Sequence, residues 1–337
     1  MKRLPSGDDL VAQNLLEFAN TEGQALNSPA FLGARLFDRR RFLTASAFLG
    51  AGFLGTGIAD ALVVEPLLLT RVTRYRLSPQ GWPANLRLTF TLIADLHACD
   101  PWMSVERIEQ IVHDANLLGA DATLLLGDYV AGHGKITATV PNDAWARALS
   151  GLRAPLGVFA ILGNHDWWDD ETAQLRGRGP ISARRALERA GIPVLENNSV
   201  RLAQAGQTFW LAGLGDQEAF RSRDASGRFR WRGVDDLAAT LRSVDDASPV
   251  VLMAHEPDIF PQVPERVSVT FAGHTHGGQV RLFGMSPVAP SPLSRIYNYG
   301  HYQQDNRHLV VSGGLGCSFL PIRLGMPPEI VHVTIEA

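Results

Sequence analysis

From about residue 86 to the carboxyl end, the chain's apolar positions follow two alternating rhythms. Short runs of Val, Leu, Ile, Phe and Thr have the look of buried strands. Between them, apolar residues return every three or four positions, the spacing of a helix with one buried face. Five of the runs stand out: LTFTLIADLH (88–97), ATLLLGD (122–128), VFAILGNHD (158–166), VVLMAH (250–255) and VTFAGHTH (269–276). Each closes on Asp, Asn or His. Ser104 is placed to cap a helix over VERIEQIVHDANLLGA, in which Ile108, Ile111, Val112 and Ala115 share a face. Helical spacing returns in NDAWARALSGL, ISARRALERAG and VDDLAATLRSV, with Gly191 as a stop signal. QTFWLAG, HLVVSGG and EIVHVTIE read as further strands, and residues 283–302, rich in Pro, Ser and Tyr, as a long loop. The alternation predicts an α/β (α+β) fold.

Residues 1–37 form a polar leader that carries no recognisable chemistry. Residues 38–61 are organised differently: three arginines precede a Gly/Ala-rich apolar stretch that ends in small residues, the layout of an export signal. Arg39, Arg40, Phe42 and Leu43 are placed as in a twin-arginine signal, and Ala59-Asp60-Ala61 offers a cleavage site. An uncleaved membrane anchor is the competing reading, because the stretch is almost long enough to span a bilayer. Either reading implies export, with the twin-arginine machinery as partner and the periplasm or outer face of the cytoplasmic membrane as destination. Residues 62–337 are left as the folded domain.

Composition changes this picture little. Of 337 residues, 45% are hydrophobic and 19% charged, enough to bury a large core. A formal charge of -3 provides no basic footprint, which argues against nucleic-acid binding. Cys99 and Cys317 are too few for a disulfide framework; Cys99 lies near Asp95 and His97 but is read as a packed thiol.

The ends of the five runs carry the candidate chemistry. In α/β sheets, ligands gather beyond the carboxyl ends of the strands. Asp95 and His97 are two apart and leave one face of a strand end; His274 and His276 repeat the spacing, among Gly273, Gly277 and Gly278. Asp128 has two oxygens with which to bridge two ions, Asn164 brings a carbonyl oxygen, and His255 a further imidazole. This nitrogen and oxygen donor set without thiolate suits Mn, Fe, Zn, Ni or Co. Two divalent ions opposite only two carboxylates leave a positive centre that attracts a phosphate oxygen, and a hydroxide bridging them is a nucleophile at neutral pH.

Taken in order, Asp95-Leu96-His97, Gly127-Asp128, Gly163-Asn164-His165-Asp166, His255 and Gly273-His274-Thr275-His276 resemble the motif series of the calcineurin-like metallophosphoesterase superfamily. Gly277-Gly278-Gln279 and the segment GLGCSFLPIRLGMPPE look like the bacterial branch that contains twin-arginine-exported phosphodiesterases and enzymes resembling UDP-2,3-diacylglucosamine pyrophosphatases. The resemblance implies a four-layer αββα sandwich of two mixed sheets flanked by helices. It also implies one ion on Asp95, His97 and His276, a second on Asn164, His255 and His274, and Asp128 shared. His165 matches the catalytic histidine. The implied function is hydrolysis of a phosphodiester or pyrophosphate, including that of a lipid or nucleotide-lipid, by a monomer. A phosphomonoesterase and a non-catalytic head-group-binding module are the alternatives.

Other residues carry two readings each. Asp166 either orients an imidazole or caps a turn. His133 either touches substrate or sits exposed on a loop, and Arg323 either holds a phosphate oxygen or forms a structural salt bridge. Trp167 and Trp168 wall the cleft or pack in the core, and Asp216 ends a strand in a turn. Tyr297 and Tyr299 belong to a lid or a membrane-facing loop, or to neither.

Overall fold

A computed structural model describes residues 61, 65–67, 69–287, 291 and 293–337. The leader and the signal or anchor, apart from Ala61, lie outside the described residues. Strands β1 (Arg71–Leu77), β2 (Leu88–Ile93) and the two-residue β3 (Cys99–Asp100) precede helix α1 (Val105–Leu117). Next come β4 (Ala122–Leu125), β5 (Ala138–Thr139), α2 (Asn142–Leu149) and β6 (Val158–Ala160), then α3 (Asn164–Trp168), α4 (Glu171–Arg176) and α5 (Ser182–Arg189). The second half holds β7 (Asn198–Gln204), β8 (Gln207–Gly213), a hairpin of β9 (Phe220–Arg223) and β10 (Phe229–Arg232), and α6 (Leu237–Thr240). It ends with β11 (Val250–Met253), β12 (Val267–Ala272), β13 (Gly300–Gln304), β14 (Arg307–Val311) and β15 (Glu329–Ile335).

Two mixed sheets result. One has the order β1-β15-β2-β4-β6, with β2, β4 and β6 parallel. The other has the order β13-β14-β12-β11-β8-β7, with its four inner strands parallel and both edges antiparallel. Strand alternation packs them face to face. Phe90 and Leu92 of β2 meet Phe209, Val251 and Phe271 of the second sheet, and the Phe90 ring lies 6.3 Å from Phe209 and 5.5 Å from Phe271. Each such side chain contributes about 1.5–3 kcal/mol through burial.

The intervening residues face outward. Ile93 and Leu125 pack under Ile108 and Ile111 of α1, Trp145 of α2 and Leu187 of α5. Ser104 caps α1 by accepting from the Arg107 N–H, and Gly191, at φ +81°, follows the end of α5. Over the second sheet the outer layer is thinner. The expected helix in VDDLAATLRSV is only the four residues of α6, capped by Asp236, and a 3-10 helix at Pro257–Gln262 supplies Ile259 and Phe260 instead. The sandwich is therefore the expected αββα arrangement, with one helical face reduced. The stretch read as a loop up to residue 302 ends earlier than expected, because β13 begins at Gly300 and pairs with β14.

Candidate metal centre

Each of the five runs stops where its strand leaves the sheet, and all five stops lie at one end of the sandwich. Asp95 and His97 follow β2, Asp128 follows β4, and Asn164 follows β6; His255 follows β11, and His274 and His276 follow β12. Backbone bonds hold these turns together: Asp95 N–H donates to Gly127 O, His97 N–H to Asp128 O, and Gly273 N–H to His255 O, each at 3.0 Å. The turns are tight enough that Asp95, His97, Asp128, His274 and His276 all have φ between +48° and +68°. Non-glycine residues adopt this left-handed region rarely and concentrate there at functional sites. Gly163 leaves the room required, since a Cβ at that position would run into Asp128 Oδ1.

All seven side chains predicted as ligands come together. Asp95, His97 and His276 form one group of donors, with His276 Nε2 3.0 Å from His97 Nε2 and 3.6 Å from Asp95 Oδ1. Asn164 Oδ1 lies 3.1 Å from both His255 Nε2 and His274 Nδ1 and gathers the other group. Asp128 Oδ2 stands between the groups, 3.6 Å from His97 Nε2 and 3.3 Å from His255 Nε2.

Hydrogen-bond chemistry tests whether a cation fits. The Nδ1 of His97 is 2.9 Å from Val130 O, and that of His255 is 2.7 Å from Leu126 O. A carbonyl oxygen only accepts, so both Nδ1 atoms carry hydrogen and both Nε2 atoms can turn lone pairs inward. Those lone pairs face other acceptors, the oxygens of Asp128 and Asn164. Protonation does not relieve this at most of the imidazoles. Burial lowers His97 to about 3 and His274 to about 4, and pushes His276 well below its ordinary range. His255 is the exception: burial lowers it, yet the carboxylates of Asp128, Glu256 and Asp95 together outweigh burial and raise it. Asp95 is raised to about 7 by burial, and its Oδ2 has no hydrogen-bond partner. Converging, buried nitrogen and oxygen donors are what a divalent cation requires, and the protons on Asp95 and His255 would be released as it binds.

His165 lies at the edge of this cage. Its N–H donates to Asp128 Oδ1 at 2.8 Å, its ring sits edge-on to His97 at 4.8 Å, and its Nε2 is 3.4 Å from Ser318 Oγ. Burial lowers its pKa against the pull of Asp128.

Several other predicted residues sit elsewhere than a direct role would require. Asp166 orients no imidazole: its carboxylate accepts from the backbone N–H groups of Gly163, Asp128, Tyr129 and Val130 at 2.8–3.3 Å and so fixes the loop that carries Asp128. Among the described residues, Arg323 neither lines the cleft nor forms an ion pair. It is wholly buried and donates to the carbonyls of Gly313, Gly316 and Met326, while Nη2 also lies 3.2 Å from His276 Nδ1. His133 is half-buried on its loop, where Nδ1 accepts from Lys135 N–H. Trp167 is core, packed on Phe220, whereas Trp168 lines the cleft. Asp216 accepts from Glu218 N–H in a turn. Tyr297 packs on Phe260 and Tyr299 bonds Glu329, so both lie against the body of the protein. Cys99 and Cys317 are buried free thiols.

The cleft also takes in residues that sequence reasoning passed over: Arg221, Phe229 and Trp231 of the β9–β10 hairpin, and Ser318, Phe319 and Leu320. FRSR and FRWR alternate about DASG, which is a hairpin signature.

A two-sheet sandwich with a buried nitrogen and oxygen cage at its strand ends is a framework suited to a metal-dependent hydrolase. Residues 88–278 match the calcineurin-like phosphoesterase family, and the chain belongs to it. It is 27% identical to "Uncharacterized metallophosphoesterase YkuE" of Bacillus subtilis (strain 168), over 89% of this chain and 98% of that one. An "Uncharacterized metallophosphoesterase" of Aquifex aeolicus (strain VF5) is 27% identical over 79% of this chain and 92% of its own. The zebrafish (Danio rerio) "Transmembrane protein with metallophosphoesterase domain" is 26% identical, over 74% of this chain and 53% of its own.

Proposed function

We propose that this protein hydrolyses a phosphodiester or pyrophosphate, including that of a lipid or nucleotide-lipid, with two divalent ions. Asp95, His97 and His276 would hold one ion and Asn164, His255 and His274 the other, with Asp128 common to both. The convergence of buried imidazole nitrogens and carboxylate and amide oxygens around Asp128 is the observation that carries this reading. Divalent cations in such a cage supply Lewis acidity and an activated water.

The chain's own residues supply the rest. Asp128 is held by the His165 N–H and, through its own backbone N–H, by Asp166, so its carboxylate is fixed before substrate arrives. Water's oxygen bonds to phosphorus, the bond to the leaving oxygen breaks, and the leaving oxygen takes up the proton that the attacking water gives up. His165, kept neutral by burial, donates a hydrogen bond to the charge that develops. Among the described residues lining the cleft, Arg221 is the single Lys or Arg, and Glu218 lines it as well. One guanidinium suits the single charge of a diester better than the double charge of a monoester.

We include export by the twin-arginine route and action at the outer membrane face in the proposal; its support is the arrangement of residues 38–61. The test of the chemistry is Asp128→Asn with a chromogenic phosphodiester and added Mn2+. Loss of turnover is expected, and undiminished turnover overturns the reading. Cell fractionation tests the location, and mature protein confined to the cytosol overturns that part.

A further inference from the structure

The cleft above the metal centre, about 470 Å3 in volume, has a polar floor and apolar walls. Asp128, Asn164 and His165 lie at the floor. Trp168 and the β9–β10 hairpin provide Trp231 and Phe229 beside it, while Val280, Phe319 and Leu320 come from the segments that follow β12 and β14. The walls continue into solvent: Phe319 is 70% exposed, Phe229 50%, Leu320 48% and Trp231 44%. A continuous exposed apolar surface leading to a reactive centre marks a binding surface.

The ring geometry indicates what kind of group this surface takes. Trp231 stacks with Trp168 at 5.0 Å and 20° and with Phe229 at 5.4 Å and 3°. The Arg223 guanidinium covers Phe229 at 3.8 Å, and that of Arg221 lies 5.4 Å from the Trp168 ring. These aromatic faces are engaged with one another and with cations. A nucleobase is held by stacking on a free aromatic face; Trp168, Trp231 and Phe229 have theirs taken, which leaves Phe319, at the outer rim, as the wall ring without such a contact among the described residues. An aliphatic chain needs no free face, only apolar contact that excludes water.

We propose that the substrate's phosphate ester carries an aliphatic chain, acyl, alkyl or isoprenoid, that lies along Trp168, Trp231, Phe319 and Leu320 while its phosphate occupies the metal centre. This rests on the phosphoesterase reading above and names the substrate class for that site. The headgroup end approaches Arg221 and His165, and the tail leaves past Phe319.

Binding separates the two claims. The Mn2+-loaded protein is titrated by calorimetry with non-hydrolysable monoalkyl phosphonates from ethyl to dodecyl, below their micellar concentrations, and with uridine monophosphate for comparison. Affinity should rise about fourfold for each methylene that enters the cleft, from the usual free energy of burying a methylene. Phe319→Ser and Trp231→Ala, both at substantially exposed positions, should each flatten that rise. A chain-length series with no slope, an unchanged slope in both variants, or tighter binding of the nucleotide than of the octyl phosphonate overturns the proposal. In parallel, p-nitrophenyl alkyl phosphates are assayed for turnover. Chain-length-dependent binding without turnover of any ester would leave the aliphatic groove in place and remove the phosphoesterase reading. Turnover without chain-length dependence would do the reverse.

Discussion

Replacing Asp166 with Asn keeps the shape of a fully buried side chain but changes what it offers to four backbone donors. Oδ1 accepts from Tyr129 and Val130, and Oδ2 from Gly163 and Asp128. An amide retains one oxygen, so two of the four bonds are lost and an NH2 group is set against two N–H groups. Hydrogen bonds to a charged acceptor contribute about 1.5–3 kcal/mol each, so the loss is about 3–6 kcal/mol. That is a large share of the roughly 5–15 kcal/mol that holds a domain folded. At about 2–4 °C per kcal/mol for a domain of 150–250 residues, the melting temperature should fall by at least about 6 °C. The same loop positions Asp128, so Mn2+ affinity should fall with stability. Thermal unfolding with saturating and with chelated metal, together with a calorimetric Mn2+ titration, measures both. A variant within about 1 kcal/mol of wild type with unchanged Mn2+ affinity would refute the account of Asp166 as the anchor of this loop.

Other perturbations test other parts of the centre. His165→Ala should retain stoichiometric metal while kcat falls by about 10²–10³; loss of metal in the variant would instead make His165 a ligand. Chelation should lower the melting temperature and Mn2+ restore it, by about 2.7 kcal/mol at a hundredfold excess over Kd; an unaltered melting curve would argue against a cation in the cage. Asp95, raised to about 7 by burial, must release its proton when metal binds. His255, raised by the carboxylates around it, must lose its proton as well, so Mn2+ affinity should fall with decreasing pH by roughly tenfold per unit for each proton released, most steeply below about 7, and a flat profile from pH 8 to 6 would contradict this. Arg323→Lys should lower the melting temperature through its lost carbonyl contacts and leave KM unaltered; a raised KM at unaltered stability would return Arg323 to the substrate.

Much of the centre was legible in the sequence because the strands beneath it are buried on both faces. LTFTLI, ATLL and VVLM read as unbroken apolar runs, and the polar residues that end them stand out by contrast. The hairpin β9–β10 carried an equally clear period of two about DASG, yet its arginines and exposed aromatics draw attention to no core and no ligand. β13 was hidden for a different reason: GHYQQ, an edge strand with mostly exposed or half-buried side chains, has no apolar alternation. In VDDLAATLRSV the helical spacing was present, but little of the segment is buried, and only Leu237–Thr240 winds into a helix. For Arg323 and Asp166, residue type named the charge but not its partners. Both turned out to serve backbone groups from distant turns, which only the folded chain brings within reach. The left-handed backbone at Asp95, His97, Asp128, His274 and His276 has only a weak signature in residue type, Asp and His being among the non-glycine residues that adopt it most often.

The donors are divided between the two layers of the sandwich. Asp95, His97, Asp128 and Asn164 belong to one sheet, and His255, His274 and His276 to the other, with the His274 N–H already bonded across the divide to Asp95 Oδ1 at 2.9 Å. A cation held there would rivet one half of the protein to the other. Neither half-sandwich possesses the full donor set of either ion, so complete filling of the centre would report that both halves have docked. Any motion that prised the layers apart would eject the ions before it exposed the core.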